Sequence, residues 1–137
     1  MSQPTPSFYN LAWRWHFYAG LFVAPFMILL ALTGIIYLFK PQLDPLLYDH
    51  LINVSPGHHS LSADEQLTRV QATYPQGHIS QYLPPINPQR SGQFVIHNGG
   101  RELNVFINPY NGEVLGEQDA KLNLQAVARA LHGELMI

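Results

Sequence analysis

Histidine is the residue type whose number and placement in this sequence suggest chemistry. Seven histidines stand beside only seven lysines and arginines in 137 residues, and imidazole is both a common metal ligand and a group that titrates near neutral pH. Cysteine is absent, which excludes disulfides, thiolate metal sites and cysteine nucleophiles. Two histidines, His16 and His132, lie in apolar helical patterns, where an ionisable side chain needs an explanation.

The other chemical patterns favour simpler interpretations. His50, His58, His59 and His78 lie in loops or on separate elements without the H-x₃-H spacing of a metal site, so we interpret them as exposed histidines. The sequence has no G-x-S-x-G, P-loop or H-E-x-x-H motif. A net charge of −2, with lysines and arginines scattered singly, predicts no nucleic-acid partner. Enzymatic chemistry by side chains alone is therefore poorly supported.

Residues 11–40 predict a helix that spans the lipid bilayer. The 25 residues between Arg14 and Lys40 contain one side chain that ionises near neutral pH, His16, and a bilayer core needs about 20 apolar residues. The remaining chain is too short to cover such a helix as a buried core element, and the run is longer than the ~7–15 apolar residues of a signal peptide. Arg14 and Lys40 flank it on opposite sides, so the charges leave its orientation open.

One stripe of this helix is built almost wholly from small residues. At 100° per residue, one face carries His16, Gly20, Ala24, Met27, Ala31 and Gly34. Small side chains allow a second helix or a flat ligand to approach the backbone. His16 at the head of the stripe, with Gly20 one turn away, is either a functional ligand or an interfacial residue wetted by headgroups, and spacing alone does not choose between them.

The rest of the chain predicts a small α+β module and a further helix. Residues 41–53 form a connector, and 54–118 contain an S-x-x-E capping box at Ser62 followed by strands at 78–83, 92–97, 102–107 and 113–115, with hairpin turns at "NGGR" and Asn111-Gly112. From about residue 124 the sequence is helical, with Leu124, Ala128, Leu131 and Leu135 on one face and His132 next to it. We expect residues 119–137 either to form an amphipathic helix or to begin a second span that is cut off at Ile137.

These parts, in this order, resemble the PepSY-associated transmembrane family, also called iron-regulated membrane proteins. The resemblance rests on "WRWHFYAGLFVAPF", on the hairpin "NPYNGEVLG" and on the final "ALHGELMI", and it extends over practically the whole chain. It implies a bacterial inner-membrane protein with a cytoplasmic N-terminus (1–10), a first span (11–40), a periplasmic PepSY module (54–118) and a second span beginning near His132. The chain is then expected to be the N-terminal part of a longer protein.

The resemblance also implies a cofactor. Family members that reduce ferric siderophores resemble haem b proteins with bis-histidine sites near each membrane face. His16 matches the first-span histidine near the cytoplasmic face and His132 the second-span histidine near the periplasmic face, so the two are expected in separate sites, with Gly20 leaving room for the porphyrin. Each would need a partner histidine on a later span.

Two functions of different classes follow as expectations. The first is haem-dependent electron transfer to a ferric siderophore in iron uptake. The second is a membrane-anchored binding or regulatory module without enzymatic activity, like the PepSY domains attached to secreted peptidases, in which a sheet edge accepts a peptide strand or the membrane helix pairs with another helix.

Overall fold

The first helix is long enough to cross a bilayer and is almost unburied. The computed structural model of the protein describes residues 7 to 134, and α1 runs over Phe8–Leu38, capped by the Ser7 side chain, which accepts from the Asn10 amide. At about 1.5 Å per residue, its 31 residues span about 46 Å. Among the described residues it is the one helix long and apolar enough for a span. The predicted apolar helix is confirmed, although it begins three residues before 11.

Two short helices connect α1 to the module. Lys40–Leu47 (α2) begins at once after the helix end, with a proline in its first turn, and Asp49–Ile52 (α3) follows. An ion pair of 2.8 Å joins Lys40 Nζ to Asp44 Oδ2 one turn later. The connector is joined to the module by backbone hydrogen bonds, of which Ser91 N–H to the Ile52 carbonyl is one at 2.9 Å.

The module contains a four-stranded antiparallel sheet in the order β1-β2-β3-β4. Its strands are His78–Leu83 (β1), Gly92–Asn98 (β2), Arg101–Ile107 (β3) and Val114–Asp119 (β4). The β2–β3 hairpin turns at Gly99 and Gly100, whose positive φ angles of 58° and 79° suit glycine. The predicted fold class is confirmed; β4 extends to Asp119, beyond the predicted 113–115.

One face of this sheet forms the hydrophobic core. Helix α4 (Ala63–Thr73) begins at the predicted capping box, in which Ser62 and Glu65 satisfy each other's backbone amides. Val70 of α4 packs on alternate residues of the two central strands, namely Phe94, Ile96, Leu103, Val105 and Ile107. The opposite face carries amide side chains, because the register aligns Asn104 with Gln118 across β3 and β4.

The last helix returns along α1. Helix α5 (Leu124–Glu134) begins where the Asn123 side chain accepts from the Ala126 amide at 2.9 Å. Its buried positions are Gln125 and Ala128, whereas Leu124 is 37% exposed. The predicted apolar face through Leu124, Ala128 and Leu131 thus contains one of these two buried positions, since small and polar residues pack between membrane helices while leucines can face lipid. Leu135, the last member of that face, lies outside the described residues.

Candidate functional site

His132 is held against the backbone of the membrane helix. Its Nδ1 lies 2.9 Å from the Leu30 carbonyl oxygen and 3.2 Å from Thr33 Oγ1. The Thr33 hydroxyl makes its shortest hydrogen bond, 2.8 Å, to the Leu29 carbonyl, as threonines in helices commonly do. Thr33 is almost fully buried by this arrangement. One imidazole nitrogen is therefore committed to the α1–α5 contact.

This contact determines which nitrogen of His132 carries the proton. A carbonyl oxygen only accepts hydrogen bonds, so Nδ1 must be the donor to Leu30. The neutral ring then keeps its lone pair on Nε2. His132 is otherwise an exposed residue, so this contact leaves Nε2 without a hydrogen-bond partner among the described residues. A histidine whose Nδ1–H is bonded to a backbone carbonyl is the arrangement found behind many metal-ligating imidazoles.

The small-residue stripe of α1 receives the His132 ring at Gly34. A Cβ at Gly34 would lie 3.2 Å from His132 Cε1 and 3.5 Å from Nδ1, so the absence of a side chain there allows the ring to approach the backbone. This end of the predicted stripe behaves as expected of small residues between helices.

The His16 end of the stripe is open. His16 is exposed, and its ring centroid lies 6.1 Å from that of Trp13 in a tilted arrangement. A Cβ at Gly20 would meet no atom within 4 Å. Among the residues that the structure describes, no hydrogen bond holds the His16 ring. Gly20 therefore adds no side chain to the helix surface one turn from His16.

The two histidines do not come together. Fourteen residues of α1 separate His16 from Leu30, the residue that His132 contacts, which is about 21 Å along the helix axis. They therefore lie towards opposite ends of α1. His50, His58, His59 and His78 are exposed, and residues 7–134 contain no group of three or more metal-ligating side chains.

The two side chains with clearly shifted pKa values lie in the module and not near His16 or His132. Hydrogen bonds from the backbone and hydroxyl of Ser62 lower the pKa of Glu65. Burial, followed by the hydrogen bond and charge of Glu117, raises the pKa of Tyr74 to about 12. The Tyr74 hydroxyl donates to Glu117 Oε2 at 2.6 Å and ties α4 to β4. Both groups stabilise the scaffold.

Sequence reasoning missed the partners of His132. Leu30 contacts His132 through its main-chain carbonyl, and a main-chain group cannot be predicted from a pattern of side chains. Thr33 could have been noticed, because a hydroxyl side chain within an apolar span suggests a polar contact. It does not lie on the small-residue face headed by His16, which was the face considered.

The comparison with known families gives one match. A family model described as the PepSY-associated TM region matches residues 13–137, and no curated protein matches the chain. The match includes α1 from Trp13 onward, the whole module and α5. It follows that the chain belongs to the PepSY-associated transmembrane family and is a membrane protein.

Proposed function

We propose that the protein takes part in haem-dependent electron transfer that reduces ferric siderophores for iron uptake, with His16 and His132 as axial ligands in two separate sites. The observation that carries the proposal is the Nδ1–H of His132 donated to the Leu30 carbonyl, because it leaves Nε2 free to bind iron. The proposal places α1 in a bacterial inner membrane, with the N-terminus in the cytoplasm and the module in the periplasm.

The chain's own residues would orient the ligand and admit the ring. A bound haem b supplies an iron that cycles by one electron, at a potential set by its axial ligands and burial. The Leu30 carbonyl fixes the rotation of the His132 ring, and Gly34 allows it to lie close to α1. At the other end, the open space beside Gly20 leaves room for a flat group next to His16. In the described residues each site has one histidine, so the second ligand is expected from another helix.

Electron transfer is tested by following the redox state of the haem. The protein, produced with added haem and purified in detergent, is reduced under nitrogen with just enough dithionite to reduce the haem, and a ferric hydroxamate is then added. We expect the reduced haem bands to revert to the oxidised spectrum, while a gallium hydroxamate, which accepts no electron, leaves them unchanged. Reduced bands that persist with both complexes would overturn the proposal.

A second candidate function is a regulatory module that binds an extended peptide. The observation in its favour is β1, an edge strand that pairs with β2 on one side and is largely exposed. Beside it a cavity of about 490 Å³ lies against α4, lined by Leu67, Ile79 and Tyr82 among others. A peptide could add a strand at this edge and place a side chain in the cavity. Backbone amide shifts in β1, measured by NMR on the protein in nanodiscs, test this binding.

A further inference from the structure

A polar cavity lies where the membrane helix meets the module. It has a volume of about 590 Å³ and is enclosed by α2, the amide-bearing face of the sheet and the start of α5. Lys40 and Pro41 line it, only two and three residues beyond Leu38, where α1 ends. Tyr37 and Phe39 mark this level as the membrane–water interface. The cavity therefore adjoins the end of the membrane helix, at the level expected for lipid headgroups.

Four buried polar atoms on residues that line this cavity have no hydrogen-bond partner among the described residues. Gln125 is 6% exposed, and both its Nε2 and its Oε1 are unpaired; Gln118 Nε2 and Asp44 Oδ1 are buried and unpaired as well. All three residues line the cavity. Buried polar groups without partners are costly and are normally satisfied by some bound species. The two donors and two acceptors call for an occupant that both accepts and donates hydrogen bonds.

The charges of the lining favour an anion. Lys40, Arg90 and Asp44 are its charged residues in the described part of the chain, which leaves one net positive charge. Lys40 is bonded to Asp44 Oδ2, so its ammonium retains two free donors. No carboxylate within residues 7–134 pairs with the Arg90 guanidinium. One phosphodiester group would balance this charge.

We propose that the cavity binds the headgroup of an anionic phospholipid that carries hydroxyl groups, of the phosphatidylglycerol type. Its phosphate would accept from Arg90 and Lys40, and its glycerol hydroxyls would pair with Asp44 Oδ1 and the carboxamide of Gln125. A lipid is favoured over a free phosphate because the cavity adjoins the end of α1. Ile86, which lines the cavity, is 86% exposed and would contact an acyl chain. The inference does not depend on haem.

The test compares lipids and variants by the affinity of the purified, delipidated protein. Binding of a fluorescent phosphatidylglycerol in detergent micelles is measured for the wild type and for Arg90→Met, Gln125→Met and Arg101→Met. Arg101 is exposed at the start of β3 and away from the cavity, so its variant controls for the loss of one charge. We expect Arg90→Met to weaken binding about fivefold, as one cation near a lipid phosphate does, Gln125→Met to weaken it as well, and Arg101→Met to leave it unchanged.

Competition experiments show whether the cavity binds the phosphate of a lipid headgroup or a free phosphate compound. Unlabelled phosphatidylglycerol should displace the probe, while phosphatidylcholine, which has no hydroxyl and no net charge, should displace it at least tenfold less well. Equal competition by the two lipids, or equal affinities of the Arg90 and Arg101 variants, overturns the proposal. Displacement by soluble glycerol phosphate at the same concentration as the lipid overturns the choice of a lipid. If Gln125→Met fails to fold, as judged by circular dichroism, Gln118→Met replaces it.

Discussion

His132 on α5 is bonded through Nδ1 to the main-chain carbonyl of Leu30 on α1, at 2.9 Å. The bond joins two residues that are 102 positions apart in sequence and orients an imidazole whose other nitrogen has no partner among the described residues. It also explains why the small residue Gly34 lies at this point of α1, where a Cβ would press on the His132 ring. Several expectations depend on this contact.

The first prediction concerns the tautomer of His132. Because Leu30 can only accept, we expect the neutral ring to carry its proton on Nδ1. Long-range ¹⁵N–¹H NMR spectra of the protein in nanodiscs distinguish the two tautomers. His16, which lacks such a partner in the described part of the chain, serves as the internal comparison. A His132 ring protonated on Nε2 would show that the Leu30 bond is absent in the membrane.

A second prediction concerns the pairing of α1 with α5. At Gly34 a Cβ alone would lie 3.2 Å from Cε1 of His132, so the larger side chain of Gly34→Val would collide with the ring. We therefore expect this variant to lose about 1–3 kcal/mol of stability. The matched control is Gly20→Val, where a Cβ meets nothing within 4 Å. Thermal unfolding in detergent measures both. Equal melting temperatures for the two variants would contradict the observed pairing.

A third prediction concerns alkaline pH. The pKa of Tyr74 is raised from 10.0 to about 12 by burial and by Glu117, so the folded state favours the neutral phenol. Its contribution to stability is complete below pH 10 and is lost as the pH rises towards about 12. We expect the stability of the module, measured by circular dichroism at a series of pH values, to fall more steeply with pH over this range. Tyr74→Phe should lower stability by about 1 kcal/mol at neutral pH and remove this part of the pH dependence; an unchanged alkaline profile would argue against it.

A fourth prediction concerns the core of the module. Ile96 is fully buried between α4 and the sheet, so Ile96→Ala should destabilise the module by about 2–5 kcal/mol. Leu122→Ala removes a side chain that is 75% exposed and should change stability by less than about 0.5 kcal/mol. Urea unfolding of the two variants compares them. A similar loss in both would mean that Ile96 is not part of a packed core.

Features coded by local residue patterns were predictable from the sequence. The capping box at Ser62 and Glu65, the hairpin at Gly99 and Gly100, and the apolar length of α1 depend on neighbours within a few residues, and the structure contains all three. The family match over residues 13–137 likewise confirms the resemblance.

Features that depend on how distant elements pack were not predictable in this way. Gln125 of α5 is buried although Leu124 is 37% exposed, and the apolar rule that identifies a core face in water could not predict this, since it does not distinguish lipid from protein. The cavity between α2, the sheet and α5 brings together Lys40, Arg90 and Gln125 from three separate segments. The Leu30 carbonyl that orients His132 has no residue signature at all. The roles of His16 and His132 stay predictions.

The measurement that tests the central proposal most directly is the haem absorbance spectrum of the protein purified after growth with added haem. We expect a Soret band in the wild type, a partial loss in His16→Ala and in His132→Ala, and a full loss in the double variant. His50→Ala, which removes an exposed imidazole of the connector, should leave the band unchanged. A wild-type protein without a Soret band, or a band that survives the double substitution, would contradict haem ligation by these two histidines.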